Sequence, residues 1–361
     1  FFKQKTAYEI HERLVGSEMC IRDRYRPLGV SAVISPWNFP LAMPNSMVLP
    51  SLMAGNSVIL KPSEETPLIA QIYADVFNEI LPQGVFQIIH GKGEVGAELV
   101  KSDIKLIVFT GSVGTGKIIM KEAAGGLKRV ILELGGKDPL LVLKGSDLGQ
   151  AATMAVFNSL RNAGQVCVST EKVLYLKEVE KDFIEKVVEK TKKIAVGDGK
   201  TDVDMGPMIN QKQKHLVISQ VEEALKNGAK ILLGNLEEDK KRGDNFLNPI
   251  VLSNVNESMK IFSEETFGPV VCLIPCKNQK DMIDKANKGE FGLGAIVIGP
   301  DEAARKVAEQ INAGMVGINK RCNGCFGTPW VGAKNSGYGY HKSIEGHRKF
   351  SQVRVLSKEI K

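Results

Sequence analysis

From Gly29 onward the chain alternates short apolar runs with longer stretches in which apolar side chains recur at helical spacing. The runs at 30–34, 58–61, 85–89, 106–110 and 130–133 predict strands. Helical stretches lie between them, such as 67–80 (PLIAQIYADVFNEI), with Thr66 as the expected N-cap. Strand–helix alternation at this spacing predicts a parallel, doubly wound α/β sheet. A second α/β unit comes next. It has helices near 147–162, 180–194, 212–226 and 301–312, and strands at 172–176, 230–233, 293–298 and 315–319. The break between the units falls at Gly135-Gly136. No internal repeat or low-complexity segment interrupts either.

Residues 1–24 (FFKQKTAYEIHERLVGSEMCIRDR) share no periodicity with the rest of the chain. They lack the apolar stretch of a signal peptide, and their acidic residues do not suit a mitochondrial transit peptide. The stretch reads as a translated sequencing-library adapter, a non-native tail. A native upstream segment is therefore expected to be missing, which would leave the first unit incomplete and an unpaired strand edge at 29–34.

Composition narrows the class. With 361 residues, 43% hydrophobic and 25% charged, the chain is an ordinary globular protein with room for two cores. No run of about 18 apolar residues is present, so no spanning helix is expected. The net charge of +7 comes with alternating Lys and Glu, as in 180–193, which is a solvated helix face and not a nucleic-acid patch. Six cysteines without a regular framework suit a reducing compartment, the cytoplasm. The five histidines form no H-x-x-x-H pair, and Cys322-x-x-Cys325 has no second pair at zinc spacing. No metal is expected; those two cysteines read as loop thiols near a pocket, and His90, ending a strand, as structural.

Two glycine patterns are misleading alone. Gly91-Lys-Gly-Glu-Val-Gly96 fits G-x-G-x-x-G, but no acidic residue closes a strand about twenty positions on. Gly111-Ser-Val-Gly-Thr-Gly116-Lys117 approaches a phosphate-cradling P-loop, but Ile118 stands where a Mg²⁺-binding hydroxyl is needed. What remains is a strand ending in Gly111 and Ser112 at a helix N-terminus, where backbone N–H groups favour a phosphate. Pro36-Trp37-Asn38-Phe39-Pro40 is a proline-bracketed turn whose Asn38 can offer an N–H to an oxyanion. Glu264-Glu265-Thr266-Phe267-Gly268-Pro269 reads by itself as a helix end. The most informative pair is Glu133, before Leu134-Gly135-Gly136-Lys137, and Cys167, after Gly164-Gln165-Val166. A thiol nucleophile needs a base to release its thioester, and a carboxylate can activate the water.

In this order the motifs resemble those of the NAD(P)-dependent aldehyde dehydrogenase superfamily, from about Tyr25 to the C-terminus. The resemblance implies a Rossmann-type dinucleotide-binding domain (25–134), a second α/β catalytic domain (135–335), and a segment 336–361 that returns to the first domain and helps form a homodimer or homotetramer. It implies that Cys167 attacks an aldehyde, that Asn38 and the Cys167 backbone N–H hold the oxyanion, and that Glu133 draws a proton from water to release a carboxylic acid. It places Trp37, Lys61, Glu64, Gly111, Ser112 and Gly116 at the cofactor, with Ser112 on the pyrophosphate, Glu64 on the adenosine ribose, Glu265 on the nicotinamide ribose and Phe267 near the nicotinamide. A carboxylate beside a free ribose diol favours NAD, with NADP possible. The stretch 328–339 resembles that by the substrate mouth but has Trp330 and Val331 where Phe and Gly are usual. A CoA-acylating semialdehyde dehydrogenase, a thiol esterase using Cys167 and Asn38, and a truncated non-catalytic dinucleotide-binding relative stay open. No Arg obviously marks a carboxylate-bearing substrate, and the aldehyde itself is not named by the residues.

Overall fold

The computed structural model describes residues 19–322 and 327–359. Two large sheets organise the chain. In the first, the strands run in the order Gly337–Tyr338, Arg129–Glu133, Leu106–Thr110, Val30–Ile34, Ser57–Lys61, Phe86–Ile88. All pairings are parallel except that of Gly337–Tyr338 with Arg129–Glu133. Strand order therefore reverses between Val30–Ile34 and Leu106–Thr110, and the crevice beyond their carboxyl ends is where a doubly wound sheet takes a ligand. The expected unpaired edge at 29–34 is overturned. Val30–Ile34 lies in the interior, paired on both sides, because the chain crosses over in both directions from it.

The second sheet has seven strands, in the order Met315–Ile318, Gly294–Ile298, Asp138–Val142, Thr170–Leu176, Val270–Cys276, Ile250–Ser253, Lys230–Leu233. Only the last pairing is antiparallel. Asp138–Val142 and Gly294–Ile298 are buried along their whole length, because helices cover both faces of a parallel sheet. Leu140, Val173, Leu174, Val271 and Val297 of this sheet, and Phe183 of the helix Glu180–Lys192, are fully buried. Truncating any such large aliphatic residue to Ala costs about 2–5 kcal/mol.

Gly135-Gly136 lies between the last residue of the first sheet's Arg129–Glu133 and the opening Asp138 of the second sheet. The C-terminal part returns: Gly337–Tyr338 adds to the first sheet, and Ser351–Glu359 pairs antiparallel with Met19–Pro27 in a separate two-stranded sheet. The strand Met19–Pro27 opens inside the stretch 1–24 that reads from sequence as a non-native tail. Within the second sheet, three strands have no counterpart in the sequence reading: Asp138–Val142, Ile250–Ser253 and Val270–Cys276. Thr66 occupies the N-cap position of Pro67–Ile80 but makes no side-chain cap, and its hydroxyl is buried without a partner. Pro67 at the first helical position needs no N–H acceptor and starts the helix instead. No helix among the described residues is long and apolar enough to cross a membrane.

Candidate active site

The nucleophile candidate sits on a strained turn. The helix Leu148–Leu160 ends, and Asn162, Ala163 and Gly164 all take left-handed φ values of 53°, 55° and 72°. Two of the three carry a Cβ, so the turn stores strain that its surroundings must hold. Gln165 holds it from both ends: its Nε2 donates to the Asn162 carbonyl (3.0 Å), and its Oε1 accepts from Ile209 N–H (2.8 Å). Gly164 packs on the Gly268 backbone so closely that any Cβ would overlap it. Cys167 then points its thiol at the end of the first sheet, where Sγ lies 3.2 Å from Glu133 Oε1.

Glu133 is buried at its strand's last position, with Thr110 Oγ1 3.4 Å from its other oxygen. Burial and the neighbouring Glu133 carboxylate push the Cys167 thiol well above its ordinary pKa. The thiol is thus held as a neutral donor with a base already on it. Asn38 Nδ2 donates to the Gln165 carbonyl (3.1 Å), two residues before the nucleophile, and Asn162 Nδ2 reaches the Asn38 carbonyl (3.3 Å). The structure therefore brings Cys167, Glu133 and Asn38 together from three segments.

The Gly-Gly pair lies in a crowded place. A Cβ on Gly136 would overlap the Cys167 carbonyl, and one on Gly135 would meet Glu265 Oε2 at 2.5 Å. Glu265 Oε1 accepts the Gly136 N–H at 2.8 Å. Burial and repulsion from Glu171 raise the Glu265 carboxyl to about 8. Glu171 was not anticipated. It pairs with Lys137 (2.6 Å) and accepts the N–H groups of Thr266 and Phe267 (2.8 and 2.9 Å), tying the 264–269 loop to the Gly-Gly strand end. Phe267 takes a left-handed φ of 51° and sets its ring edge-on to Trp37, 5.5 Å between centroids.

A cleft of about 760 Å³ opens at the strand-order reversal of the first sheet. Trp37, Lys61, Glu64, Gly111 and Ser112 line it, with Gly93 and Gly96 from the incomplete glycine pattern. Lys61 is buried, donates to the Pro62 carbonyl (2.9 Å) and lies 3.6 Å from the half-exposed Glu64. Ser112 caps the helix Val113–Gly125, accepting from Thr115 N–H, so this helix N-terminus faces the cleft. Gly116 differs from expectation. It packs against Leu134, where a Cβ would meet Cδ2 at 2.6 Å, and it lies outside the cleft lining. Glu265 and Phe267 also lie outside that lining.

Cys322 is not an accessible loop thiol. It is buried, donates to the Met315 carbonyl (3.3 Å), and burial lifts it to about 12. Cys325, the other cysteine read as a loop thiol, falls outside the described residues. His90 is exposed and bonds Gln71 (2.7 Å). His341, which no sequence motif singles out, is buried with Nε2 3.4 Å from Glu133 Oε2.

The profile of the aldehyde dehydrogenase family matches residues 3–356. The chain belongs to that family. Among curated relatives, the mouse mitochondrial succinate-semialdehyde dehydrogenase is 37% identical over 340 residues, covering 92% of this chain and 65% of that protein. A chloroplastic aminoaldehyde dehydrogenase of Arabidopsis thaliana is 39% identical over 321 residues, covering 87% and 64%. The chain thus spans under two thirds of the length of these two relatives. Among solved structures, an aldehyde dehydrogenase of Brucella melitensis superposes with a TM-score of 0.91 at 34% identity, covering 98% of this chain and 75% of that one. Betaine aldehyde dehydrogenase of Staphylococcus aureus, solved in complex with NAD+, gives 0.88 at 32% identity, covering 94% and 69%. The family match opens at residue 3, earlier than the motif resemblance that begins near Tyr25.

Proposed function

We propose that this chain carries the cofactor cleft and the catalytic centre of an enzyme that oxidises an aldehyde to the carboxylic acid with NAD. The observation that carries the reading is the 3.2 Å contact between Cys167 Sγ and Glu133 Oε1, beside an Asn38 amide held against the same turn. Glu133 takes the thiol proton as Cys167 sulfur bonds to the aldehyde carbon, and passes it to solvent before water enters. The second Asn38 N–H and the Cys167 backbone N–H stabilise the oxyanion; removing such a donor costs about 2.7–4 kcal/mol. NAD held in the cleft would supply the hydride acceptor, and loss of hydride from the adduct carbon leaves Cys167 carrying an acyl thioester. Water then attacks that carbon, the C–S bond breaks, and Glu133 receives a water proton.

The cleft suits a dinucleotide. The helix N-terminus at Ser112 offers N–H groups to a pyrophosphate, and Glu64 beside Lys61 suits a ribose diol. The S. aureus relative was solved with NAD+, which supports the same choice. The two-stranded sheet Met19–Pro27/Ser351–Glu359 exposes Val353, Val355 and Leu356 and joins neither large sheet. Such a pair is marginal alone, which supports a homo-oligomer that covers it. A catalytic Cys167 that must stay reduced supports a reducing compartment such as the cytoplasm.

The deciding experiment uses the enzyme expressed from its full coding sequence. Cys167→Ala should abolish NADH formation while NAD binding, read by calorimetry, persists. Retained NADH formation would refute the assignment.

A further inference from the structure

His341 is a buried imidazole with no hydrogen bond of good geometry at either ring nitrogen. Buried polar groups are satisfied in the great majority of cases, so an exception calls for an explanation. Nε2 stands 3.4 Å from Glu133 Oε2, while the opposite carboxylate oxygen, Oε1, is 3.2 Å from the thiol. The carboxylate therefore has the thiol on one side and the imidazole on the other.

Close packing holds the ring in this place. Tyr340–His341 pairs antiparallel with Trp330–Val331, His341 opposite Trp330. The next helix, Ser343–Arg348, packs so tightly that a Cβ on Gly346 would meet the His341 carbonyl carbon at 2.6 Å. Neighbouring charges point elsewhere: Lys342 Nζ lies over the Trp330 ring at 4.2 Å, and Lys349 over Tyr340. Glu133 is the acid group that faces the imidazole, with Cys167 beyond it.

We propose that His341 is the proton acceptor behind Glu133, a positioning residue that resets the base during thioester release. This deepens the proposed function and rests on Glu133 acting there as base. As water oxygen bonds to the acyl carbon and the C–S bond breaks, Cys167 leaves as thiolate. One water proton passes to Glu133 and on to the Nε2 lone pair, giving an imidazolium and restoring the carboxylate. The proton then leaves to solvent, and the balance is thioester plus water to acid, thiolate and proton. Hydrogen bonds of this kind are often long before substrate binds and tighten in the working complex.

The test measures the pre-steady-state NADH burst and the steady rate in the full-length enzyme. His341→Gln keeps a polar group but has no basic nitrogen. It should keep a near-stoichiometric burst and lose about tenfold to a hundredfold in steady turnover, the low end of general acid–base effects. In His341→Ala, added imidazole should restore part of that turnover. The double variant with Glu133→Gln should be no slower than Glu133→Gln alone, because His341 acts only through that carboxylate. Turnover within twofold of wild type in His341→Gln, loss of burst and turnover together, or additivity with Glu133→Gln would each overturn the proposal. If Glu133→Gln itself turns over normally, the base assignment fails; if only His341→Gln does, the role of His341 alone fails.

Discussion

Gly136→Ala isolates positioning from chemistry, because it adds one methyl group and touches no reacting atom. The new Cβ would overlap the Cys167 carbonyl oxygen and meet Asp138 Oδ1 at 2.8 Å and Leu293 Cβ at 3.4 Å, against 3.4–4 Å for ordinary contact. The first obstacle is backbone and cannot rotate away, so the strand end and the nucleophile's turn must part by about 1 Å. Overpacking of this kind costs about 1–3 kcal/mol, which a domain stable by about 5–15 kcal/mol survives. A displacement of about 1 Å at the reacting atom costs on the order of 10²-fold in rate. Gly135→Ala is the control. The three atoms nearest its Cβ all belong to the Glu265 carboxylate, a side-chain end and not backbone. The expected outcome is a folded Gly136→Ala enzyme, by thermal unfolding, with NADH formation reduced about a hundredfold and Gly135→Ala much less affected. A Gly136→Ala enzyme within threefold of wild type, or equal losses in the two variants, would refute the reasoning.

Other consequences are open to direct measurement. Glu265, raised to about 8, keeps in the folded state a proton that the unfolded chain releases at ordinary carboxylate pH. Stability should therefore fall as pH rises from about 4.5 to about 8, and Glu265→Gln should flatten that slope in urea titrations; an unchanged slope would show the charge is not the cause. Asp138, also raised by burial, acts with the same sign and should leave a residual slope. Lys137→Met strands Glu171 in the interior and should cost about 3–5 kcal/mol, read from the denaturation midpoint. Glu64→Ser should shift the ratio of catalytic efficiencies towards NADP, since a 2′-phosphate adds charge of about −2 beside this carboxylate; equal efficiencies with NADP in the parent enzyme would remove the role given to Glu64.

Much of this architecture is legible in the residues, and the failures have physical causes. Strands such as Leu106–Thr110 stand out because an apolar run stops at a glycine. Asp138–Val142 and Val270–Cys276 are hidden by Pro139 and Pro275, which argue against a central strand. The structure accommodates Pro139 with a register shift between Asp138 and Pro139. Ile250–Ser253 is hidden by Asn248-Pro249 just before it, a dipeptide that reads as a turn. In the site, Cys167, Glu133 and Asn38 are visible because each sits in a local motif of glycines or prolines. Glu171 and His341 are not, because their meaning depends on partners that only the fold supplies, Lys137 just before a neighbouring strand and Glu133 in the other half of the chain.

The site lies where the two sheets exchange the chain, and this accounts for how it is held. Glu133 ends a strand of the first sheet, while Cys167 precedes Thr170–Leu176 of the second. No covalent link among the described cysteines joins the segments. Their spacing is fixed by close backbone approaches: Gly136 on Cys167, Gly164 on Gly268, Gly346 on His341. A packed interior resists compression, so these contacts act as stops that set the spacing of thiol, carboxylate and imidazole. The strain at Asn162, Ala163 and Phe267 is borne by the same contacts together with the buried Lys137–Glu171 pair. Loosening any one stop lets a strained turn relax and moves a reacting group, even though the altered residue never meets substrate. Methyl additions at these three glycines should therefore act through rate more than through cofactor binding, because the cleft at Ser112 and Glu64 is built on other strands.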